Sequence, residues 1–415
     1  MARKKLHDRS PGGERLRLAA MGLEAEFALF VDERPVRPEK LFGSPRGFVR
    51  APLMHRVGTS YHLPTGGAIY FDTGVIEIAT PVIEIARGCA ARAGRSLWEG
   101  IGFTRDELDA WERRTGRSVR LAGFSAHYNI SFTGDGTNGR TVEALALLLS
   151  YLLPPAVMLL ATNPRSTGVG VRPRGERIEV TVDFTPSPAL MIATATVIAA
   201  VARTVMHWPS FELAELAERG LPVIDGFHPV PHTSRQGWLA RWDCYPASPF
   251  RTDPDAPVWR TTAGEQLSLR ELAARTLDHF GTALRNLADP FTRRLLQSIL
   301  HGDSPVLLEL PDRPPAYEDV GRLCRWDDLF PTTSLDRSSY ERALIHAIAG
   351  DRLRVGRNWY RPVAMQGWSR VVFRREEDGT RHLFSIDDLA GRRAGWQPVG
   401  RHHMTTDGGS ARRHG

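Results

Sequence analysis

Cysteine is scarce in this sequence. Cys89, Cys244 and Cys324 are the 3 cysteines among 415 residues, they lie far apart, and no Cys-x-x-Cys pair occurs. We therefore expect neither a thiolate zinc site nor a disulfide framework. The N-terminus is basic but has no apolar core segment, so it is not expected to be a signal peptide, and we predict a cytoplasmic location.

Lysine is almost absent. It occurs only at Lys4, Lys5 and Lys40 among 54 basic residues, so the formal charge of +7 comes from arginine. Because the arginines are spread along the chain, we expect no nucleic-acid partner, since a charge excess alone identifies none. The motif Gly-x-x-x-x-Gly-Lys-Ser/Thr is missing as well, so any ATP site must be led by a metal ion.

The most apolar run of the sequence does not predict a membrane span. The most apolar stretch, 142–162, contains Glu143, Ser150 and the pair Pro154–Pro155. Neither half reaches the roughly 20 residues that a bilayer requires. We predict two buried helices that break at the prolines.

The length and composition favour one large domain and one small one. Apolar residues make up 42% and charged residues 24%, which is ordinary for a globular protein. We predict a disordered basic tail over 1–18, a catalytic domain over 19–330, a small C-terminal domain over 331–400 and a polar tail over 401–415. The main predicted helices cover 86–115, 189–206, 268–288 and 338–350, and the predicted strands begin near Ala20 and occupy parts of 66–85, 119–133 and 177–184, with a loop over 163–176.

Several predicted strands carry polar side chains at alternate positions. Alternate side chains of a strand lie on one face, so each such strand has a polar face and an apolar face that can pack on helices. The polar positions are Glu24 and Glu26; Tyr70 and Asp72; His127, Asn129 and Ser131; and Arg177, Glu179, Thr181 and Asp183. A solvated sheet face and a functional surface both fit this pattern.

Glu77 does not fit simple alternation with Asp72. The two positions differ by an odd number, so a regular strand would place them on opposite faces. Gly74 lies between them and could supply a bulge or turn that re-aims Glu77.

The acids on these faces favour a site for divalent ions. Close carboxylates repel each other and raise each other's pKa unless a cation lies among them. Oxygen-rich clusters with one histidine suit Mg²⁺ or Mn²⁺. Phosphate chemistry also needs an arginine, which Arg177 could supply together with Arg165, Arg172 and Arg174 on the segment before it.

Five segments resemble the Pup ligase and Pup deamidase family of glutamine-synthetase-like carboxylate–amine ligases. They are MGLEAEF (21–27), GGAIYFDTGVIEIATP (66–81), SAHYN (125–129), RIEVTVD (177–183) and GEQLSLRELAARTLDHF (264–280), and the resemblance covers roughly 20–290. It implies an α+β fold in which a curved antiparallel sheet of about six strands carries helices on its convex face. It also implies ATP and Mg²⁺ as cofactors and an acyl-phosphate route to an amide or isopeptide bond.

The resemblance also implies roles for particular residues. Glu24 and Glu77 correspond to magnesium ligands, with Glu26 as a helper and Glu179 as an extra metal ligand. Asp72 corresponds to the catalytic base. The residues that correspond to the nucleotide site are His127, Asn129, Tyr70 and Arg177. The family's His-Glu-Asn triplet reads His127–Tyr128–Asn129 here, and its Arg-x-His reads Arg177–Ile178–Glu179. Val82 stands after Pro81, at the position where the family's ATP motif usually has an acidic residue.

The partner and the direction of the reaction stay open at this point. The implied donor is a Pup-like protein tail or a small glutamate-bearing molecule, and the acceptor is an amine such as a protein lysine. The resemblance implies that the deamidases carry an added loop between the first strand and the strand of Asp72, so the compact stretch 32–60 favours a ligase over a deamidase. An amide hydrolase, a small-molecule glutamate–amine ligase and a catalytically silent binding protein are the alternatives.

Overall fold

The computed structural model describes residues 19–309 and 337–398, apart from 138, 186, 233–235 and 392–394. Both predicted tails lie outside the described residues, as does Cys324. Cys89 and Cys244 are buried free thiols.

The protein has an α+β fold, as the sequence predicts. In the described residues, twelve strands form one sheet with the order β11-β12-β9-β10-β8-β1-β6-β5-β4-β3, and β2 and β7 also pair with β1. The strands are β1 (Ala20–Val31), β2 (Arg34–Val36), β3 (Met54–Val57), β4 (Ser60–His62), β5 (Ala68–Asp72), β6 (Val75–Ala79), β7 (Ile83–Glu84), β8 (Val119–Ser131), β9 (Val169–Pro173), β10 (Arg177–Asp183), β11 (Val230–Pro231) and β12 (Trp238–Ala240).

Helices pack on one face of this sheet and on one another. They are α1 (Pro38–Phe42), α2 (Cys89–Thr115), α3 (Val142–Leu152), α4 (Pro154–Ala161), α5 (Pro188–Val205), α6 (Ala214–Glu218), α7 (Leu269–His279), α8 (Gly281–Leu287) and α9 (Pro290–Leu300). Helices α2 and α5 pack on the central strands. Helix α2 ends at Gly116, whose φ of 69° is the left-handed conformation that glycine adopts at low cost.

The apolar positions of the strands form the core together with these helices. Leu23, Ala25 and Phe27 of β1 are at most 1% exposed. Phe27 also meets Phe184 edge-on, with ring centroids 5.0 Å apart. Full burial of a side chain as large as Leu23 or Phe27 contributes about 1.5–3 kcal/mol. The alternation that places these residues inward leaves their neighbours on the other face of the sheet.

Three details differ from the sequence expectation. The predicted loop 163–176 contains β9, because Val169–Pro173 pairs with β10. The predicted helix over 268–288 divides at Phe280 into α7 and α8. The sheet also has more strands than the six expected, since short segments pair at both of its edges.

The long apolar helices are buried. Pro188–Val205 has the length and hydropathy of a membrane span, but 83% of it is buried in the protein. As predicted, the stretch 142–162 forms two helices that meet at Pro154, where the chain bends by 64°. Their residues belong to the same core as the sheet.

The C-terminal part has a second sheet and a second core. A two-stranded ribbon, β13 (Trp259–Arg260) and β14 (Gln266–Leu267), precedes it. The described strands of the second sheet follow the order β18-β17-β16-β15-β19. The elements are α10 (Ser339–Ile348), β15 (Arg352–Val355), β16 (Asn358–Gln366), β17 (Arg370–Arg375), β18 (Arg381–Ser385), α11 (Ile386–Gly391) and β19 (Trp396–Gln397). Both helices pack on the inner face of this sheet.

A buried ion pair attaches this second unit to the first. Arg95 of α2 donates from Nη2 to Glu341 Oε1 of α10 at 2.8 Å, and the Glu341 side chain is fully buried. The backbone amide of Tyr340 also donates to Glu84 Oε1 at 3.0 Å. The C-terminal sheet is thereby held beside β3, at one edge of the main sheet.

Candidate active site

The strand register places the predicted polar residues on one face. Glu24 pairs with His127 and Glu26 pairs with Ser125 across β1 and β8. On the other side of β1, Glu26 pairs with Glu77 of β6. Directly opposed residues of antiparallel strands share a face. The side chains of Glu24, Glu26, Glu77 and His127 therefore lie together.

A two-residue turn brings Glu77 onto this face. Thr73 and Gly74 join β5 to β6 with φ angles of 51° and 102°. Positive φ at both central positions is typical of the tight type I′ hairpin turn. The turn pairs Asp72 with Val75 and Tyr70 with Glu77. Tyr70, Asp72 and Glu77 consequently share one face, although Asp72 and Glu77 are separated by an odd number of positions.

His127 lies among three carboxylates. Its Nδ1 is 3.1 Å from Glu24 Oε2 and 3.9 Å from Glu77 Oε1, and its Nε2 is 3.8 Å from Glu26 Oε1. The three glutamates are between 3% and 8% exposed. Tyr70 donates its hydroxyl to Glu77 Oε1 at 2.6 Å. We call Glu24, Glu26, Glu77 and His127 the acid cluster.

The carboxyl groups of the acid cluster do not all ionise readily. Burial raises the pKa of Glu77, and the neighbouring charge of Glu24 raises it further. Burial would also raise the pKa of Glu24, but the hydrogen bond and charge of His127 and the charge of Arg177 lower it. Crowded buried carboxylates favour protonation unless a cation balances them.

The donor atoms of the acid cluster fit a divalent cation. Glu26, Glu77 and His127 each offer a ligand atom within 4.8 Å of the others, and Glu24, His127 and Glu179 do the same. Two carboxylates with one imidazole match the oxygen-rich preference of Mg²⁺ or Mn²⁺. A cation held here would balance the negative charge that otherwise raises the pKa of Glu77.

Glu179 already has two cationic partners. Its fully buried carboxylate is ion-paired with Arg172, and Arg174 Nε donates to its Oε2 at 2.9 Å. These guanidinium groups supply the positive charge that Glu179 needs in the interior. The first set of ligands, with Glu26, Glu77 and His127, is therefore the better cation site, and Glu179 orients arginines beside it.

Arg177 lies on the same face as Glu179, two positions along β10. Its Nε donates to Asn129 Oδ1 at 2.7 Å, which fixes the direction of the guanidinium. Its charge lowers the pKa of Glu24, so it acts on the acid cluster at short range. Arg177 and Asn129, each predicted for the nucleotide site, are thus in contact in the structure.

Asp72 lies at the end of β5 beside the acid cluster. It is half-buried, and Thr73 donates its hydroxyl to Asp72 Oδ1 at 2.9 Å. The charge of Asp72 contributes to raising the pKa of Glu77. Asp72 is thus partly exposed and lies close enough to the acid cluster to act on Glu77.

Arg56 is a site residue that the sequence analysis missed. It lies at an irregularity in the pairing of β3 with β4, between His55 and Val57. Its guanidinium carbon is 5.4 Å from the centroid of the Tyr70 ring. Burial lowers the pKa of Arg56, and the charges of Tyr70, Glu24 and Glu77 oppose that shift. Strand alternation does not assign a face to a residue at a bulge, which explains the omission.

The C-terminal sheet contributes Trp368 to the edge of the site. The Arg56 guanidinium carbon lies 4.1 Å from the centroid of the Trp368 ring. His62 meets the same ring edge-on at 5.9 Å. Burial lowers the pKa of His62 to about 4, and the charge of Arg56 lowers it as well, so this imidazole is neutral. Trp368, Arg56 and Tyr70 thus form a continuous wall beside the acid cluster.

Comparison with known proteins gives matches among solved structures. No family model matches the chain, and no curated protein matches it. The complex of the prokaryotic ubiquitin-like protein Pup with its ligase PafA matches with a TM-score of 0.50 at 12% identity, over 89% of this chain and 89% of that chain. The Pup ligase PafA in complex with ADP matches with a TM-score of 0.42 at 12% identity, over 80% and 87% of the two chains. The first of these matches shows that this chain has the fold of the Pup ligase PafA.

Proposed function

We propose that the protein is an ATP- and Mg²⁺-dependent ligase that activates a glutamate carboxylate as an acyl phosphate and joins it to an amine. The observation that carries this proposal is the acid cluster, in which buried carboxylates and His127 converge beside Arg177 on a fold shared with a ligase. A structural role alone does not account for such crowding of acids, because each buried carboxylate weakens the ionisation of the next.

The cation and the arginines would act together on the phosphates of ATP. Glu26, Glu77 and His127 would hold Mg²⁺, with Glu24 beside them, and the ion supplies positive charge for the developing phosphoryl charge. Arg177, fixed by Asn129, would bind phosphate oxygens directly. A glutamate carboxylate oxygen of the donor then attacks the γ-phosphorus, and ADP leaves.

Asp72 is the proposed base of the second half-reaction. The amine nitrogen attacks the acyl carbon and inorganic phosphate leaves, which forms the amide bond. An ammonium group must first lose a proton, and the carboxylate of Asp72 would accept it. Its position at the solvent side of the acid cluster supports this role. Arg56, on the far side of the cluster from Arg177, would balance the charge of the donor carboxylate.

The donor and acceptor follow from the same chemistry. The solved ligase of this fold is complexed with Pup, so a Pup-like tail that bears a glutamate is one candidate donor, and a small glutamate-bearing molecule is the other. A protein lysine is the candidate acceptor. The need for ATP is consistent with the cytoplasmic location that we propose.

ADP release tests this function. Purified protein would receive Mg²⁺ and ATP with either glutamate and ammonium, or a glutamate-terminated peptide and Nα-acetyl-lysine. We expect ADP release with at least one pair. Asp72→Asn should abolish ADP release over multiple turnovers, because the acyl phosphate is no longer passed to the amine, while nucleotide binding measured by calorimetry persists. Asp106→Asn, an exposed change of the same kind on α2, should match the unmodified protein.

Three other results would count against the proposal. Equal turnover by Asp72→Asn and the unmodified protein would remove Asp72 from its role. Ammonia release from a glutamine-terminated peptide without net ADP formation would favour an amide hydrolase. Nucleotide binding without turnover on either pair would favour a catalytically silent protein.

A further inference from the structure

The outer face of the C-terminal sheet carries a row of arginines. The register pairs Arg361 with Arg374 and Arg374 with Arg381, and the pairing of β15 with β16 places Arg352 beside Arg361. We call these residues the arginine row. Neighbouring strands are about 4.8 Å apart, so the row crosses the sheet over roughly 14 Å.

The arginine row carries more positive charge than its neighbours balance. Glu376 is ion-paired with Arg352 at 2.7 Å and lies 3.6 Å from Arg361. Arg374 and Arg381 are exposed, and neither forms an ion pair with a described residue. Like charges directly opposite each other destabilise a sheet. Packing therefore gives no reason for this arrangement, whereas binding of an anion does.

Apolar and aromatic side chains flank the arginine row. Val372 pairs with Ala364 and with Leu383 on the same outer face, and Leu383 is 44% exposed. On the opposite side of the row, the guanidinium carbons of Arg352 and Arg354 lie 4.6 Å and 5.8 Å from the centroid of the Trp359 ring. The surface thus places a line of positive charge between two surfaces that can contact planar rings.

The surface is an open cleft and not a closed pocket for a small molecule. It has a volume of about 500 Å³ and is lined by Arg352, Arg361, Arg374, Arg375 and Glu376. The arginine row extends beyond this cleft to Arg381 on the edge strand. A small phosphorylated ligand would engage only part of the row, whereas a chain of regularly spaced phosphates could engage all of it.

We propose that this face binds single-stranded nucleic acid. The backbone phosphates would lie along the arginine row, where guanidinium groups bind them in pairs of hydrogen bonds. The bases would contact Trp359 on one side and Val372 with Leu383 on the other. Single strands expose base faces for such contacts, and duplexes do not. The overall spread of arginines in the sequence does not reveal this surface, because the four residues form a row only through strand pairing.

Fluorescence anisotropy tests the proposal by measuring the affinity of the full chain for a labelled oligothymidine about 20 nucleotides long. Arg374→Gln with Arg381→Gln should weaken binding at least tenfold. Loss of two phosphate contacts should also reduce the slope of log K against log salt by about 1.4. Thermal stability should not fall, because the changes relieve repulsion between opposed charges.

The matched control carries the same loss of charge elsewhere. Arg50→Gln with Arg113→Gln changes two exposed arginines of the large domain and should leave binding within about twofold. Equal weakening by both pairs would mean that net charge alone drives binding, which would overturn the proposal. No binding of the oligonucleotide at 150 mM salt would overturn it too. Equally tight binding of a duplex, or equal competition by polyglutamate of the same charge, would also overturn it. The outcome does not depend on the ligase activity.

Discussion

Glu26 and Glu77 are direct cross-strand neighbours on β1 and β6, and both side chains are almost completely buried. In a folded chain that lacks a cation, burial and the neighbouring carboxylates raise the pKa of Glu77 to about 9, so Glu77 must take up a proton. The pairing therefore links metal binding to stability.

Mn²⁺ or Mg²⁺ should stabilise the protein through this pair. At a free ion concentration 100 times the dissociation constant, the gain is about 2.7 kcal/mol in the free energy of unfolding. Glu77→Gln should remove most of this gain, and in EDTA this variant should be at least as stable as the unmodified protein, because the amide needs no proton whereas Glu77 must take one up to be buried without a cation. Thermal melts with and without the ion measure both effects. Glu176→Gln, an exposed change, is the control; an unchanged ion response in Glu77→Gln contradicts the site.

Glu179→Gln should destabilise the fold strongly. It leaves Arg172 and Arg174 without their shared carboxylate in a buried position. Breaking a buried ion pair from one side costs about 3–5 kcal/mol. Arg174→Gln should cost less, because Arg172 then still neutralises Glu179. Urea unfolding at pH 7 compares the two variants, and a larger effect of Arg174→Gln would refute this account.

Asp183 should make stability fall as pH rises. Burial raises the pKa of Asp183 to about 6, although hydrogen bonds from Ser166 and Asn163 oppose the shift. The folded state therefore binds a proton more tightly than the unfolded chain, whose pKa is near 3.9. The stabilisation is full below about pH 4 and is lost as pH rises through 6.

Asp183→Asn removes this dependence. The free energy of unfolding of the variant should increase relative to the unmodified protein by at most about 3 kcal/mol between pH 4 and pH 8. Urea unfolding across this range in EDTA checks the sign. A difference that stays constant with pH would show that Asp183 titrates normally.

Glu341→Gln should loosen the attachment of the C-terminal sheet. The amide keeps the hydrogen bond from the Ser338 backbone that caps α10, but it leaves Arg95 without its principal counter-charge. We expect a loss of about 3–5 kcal/mol and faster amide hydrogen exchange in α10. Glu377→Gln, which is exposed, should change neither quantity. Unaltered exchange in α10 would argue against this contact as the attachment.

Alternation along strands was sufficient to predict the polar face of the sheet. Glu24, Glu26 and His127 lie on regular strands, so their positions in sequence determine their face. The face of Glu77 depends on the turn at Gly74. The sequence suggests that turn, but only the structure shows how β5 and β6 pair on either side of it. The proposed roles of these residues remain predictions.

The parts that the sequence could not predict depend on contacts between distant segments. Arg56 lies at a bulge, where alternation gives no answer, and Trp368 reaches the site from a different sheet. The partners of Glu179 become clear only when β9 is seen to pair with β10. In each case the chemistry is set by tertiary packing, which local residue patterns do not encode.

The contact between Trp368 and Arg56 has a practical consequence for anyone who shortens the chain. A fragment that stops before α10 would retain every acid around His127 but lose the indole that covers the Arg56 side chain. Water would then reach the guanidinium and screen its charge. Such a truncation would yield a pocket open on one flank, and its behaviour would not represent that of the intact protein.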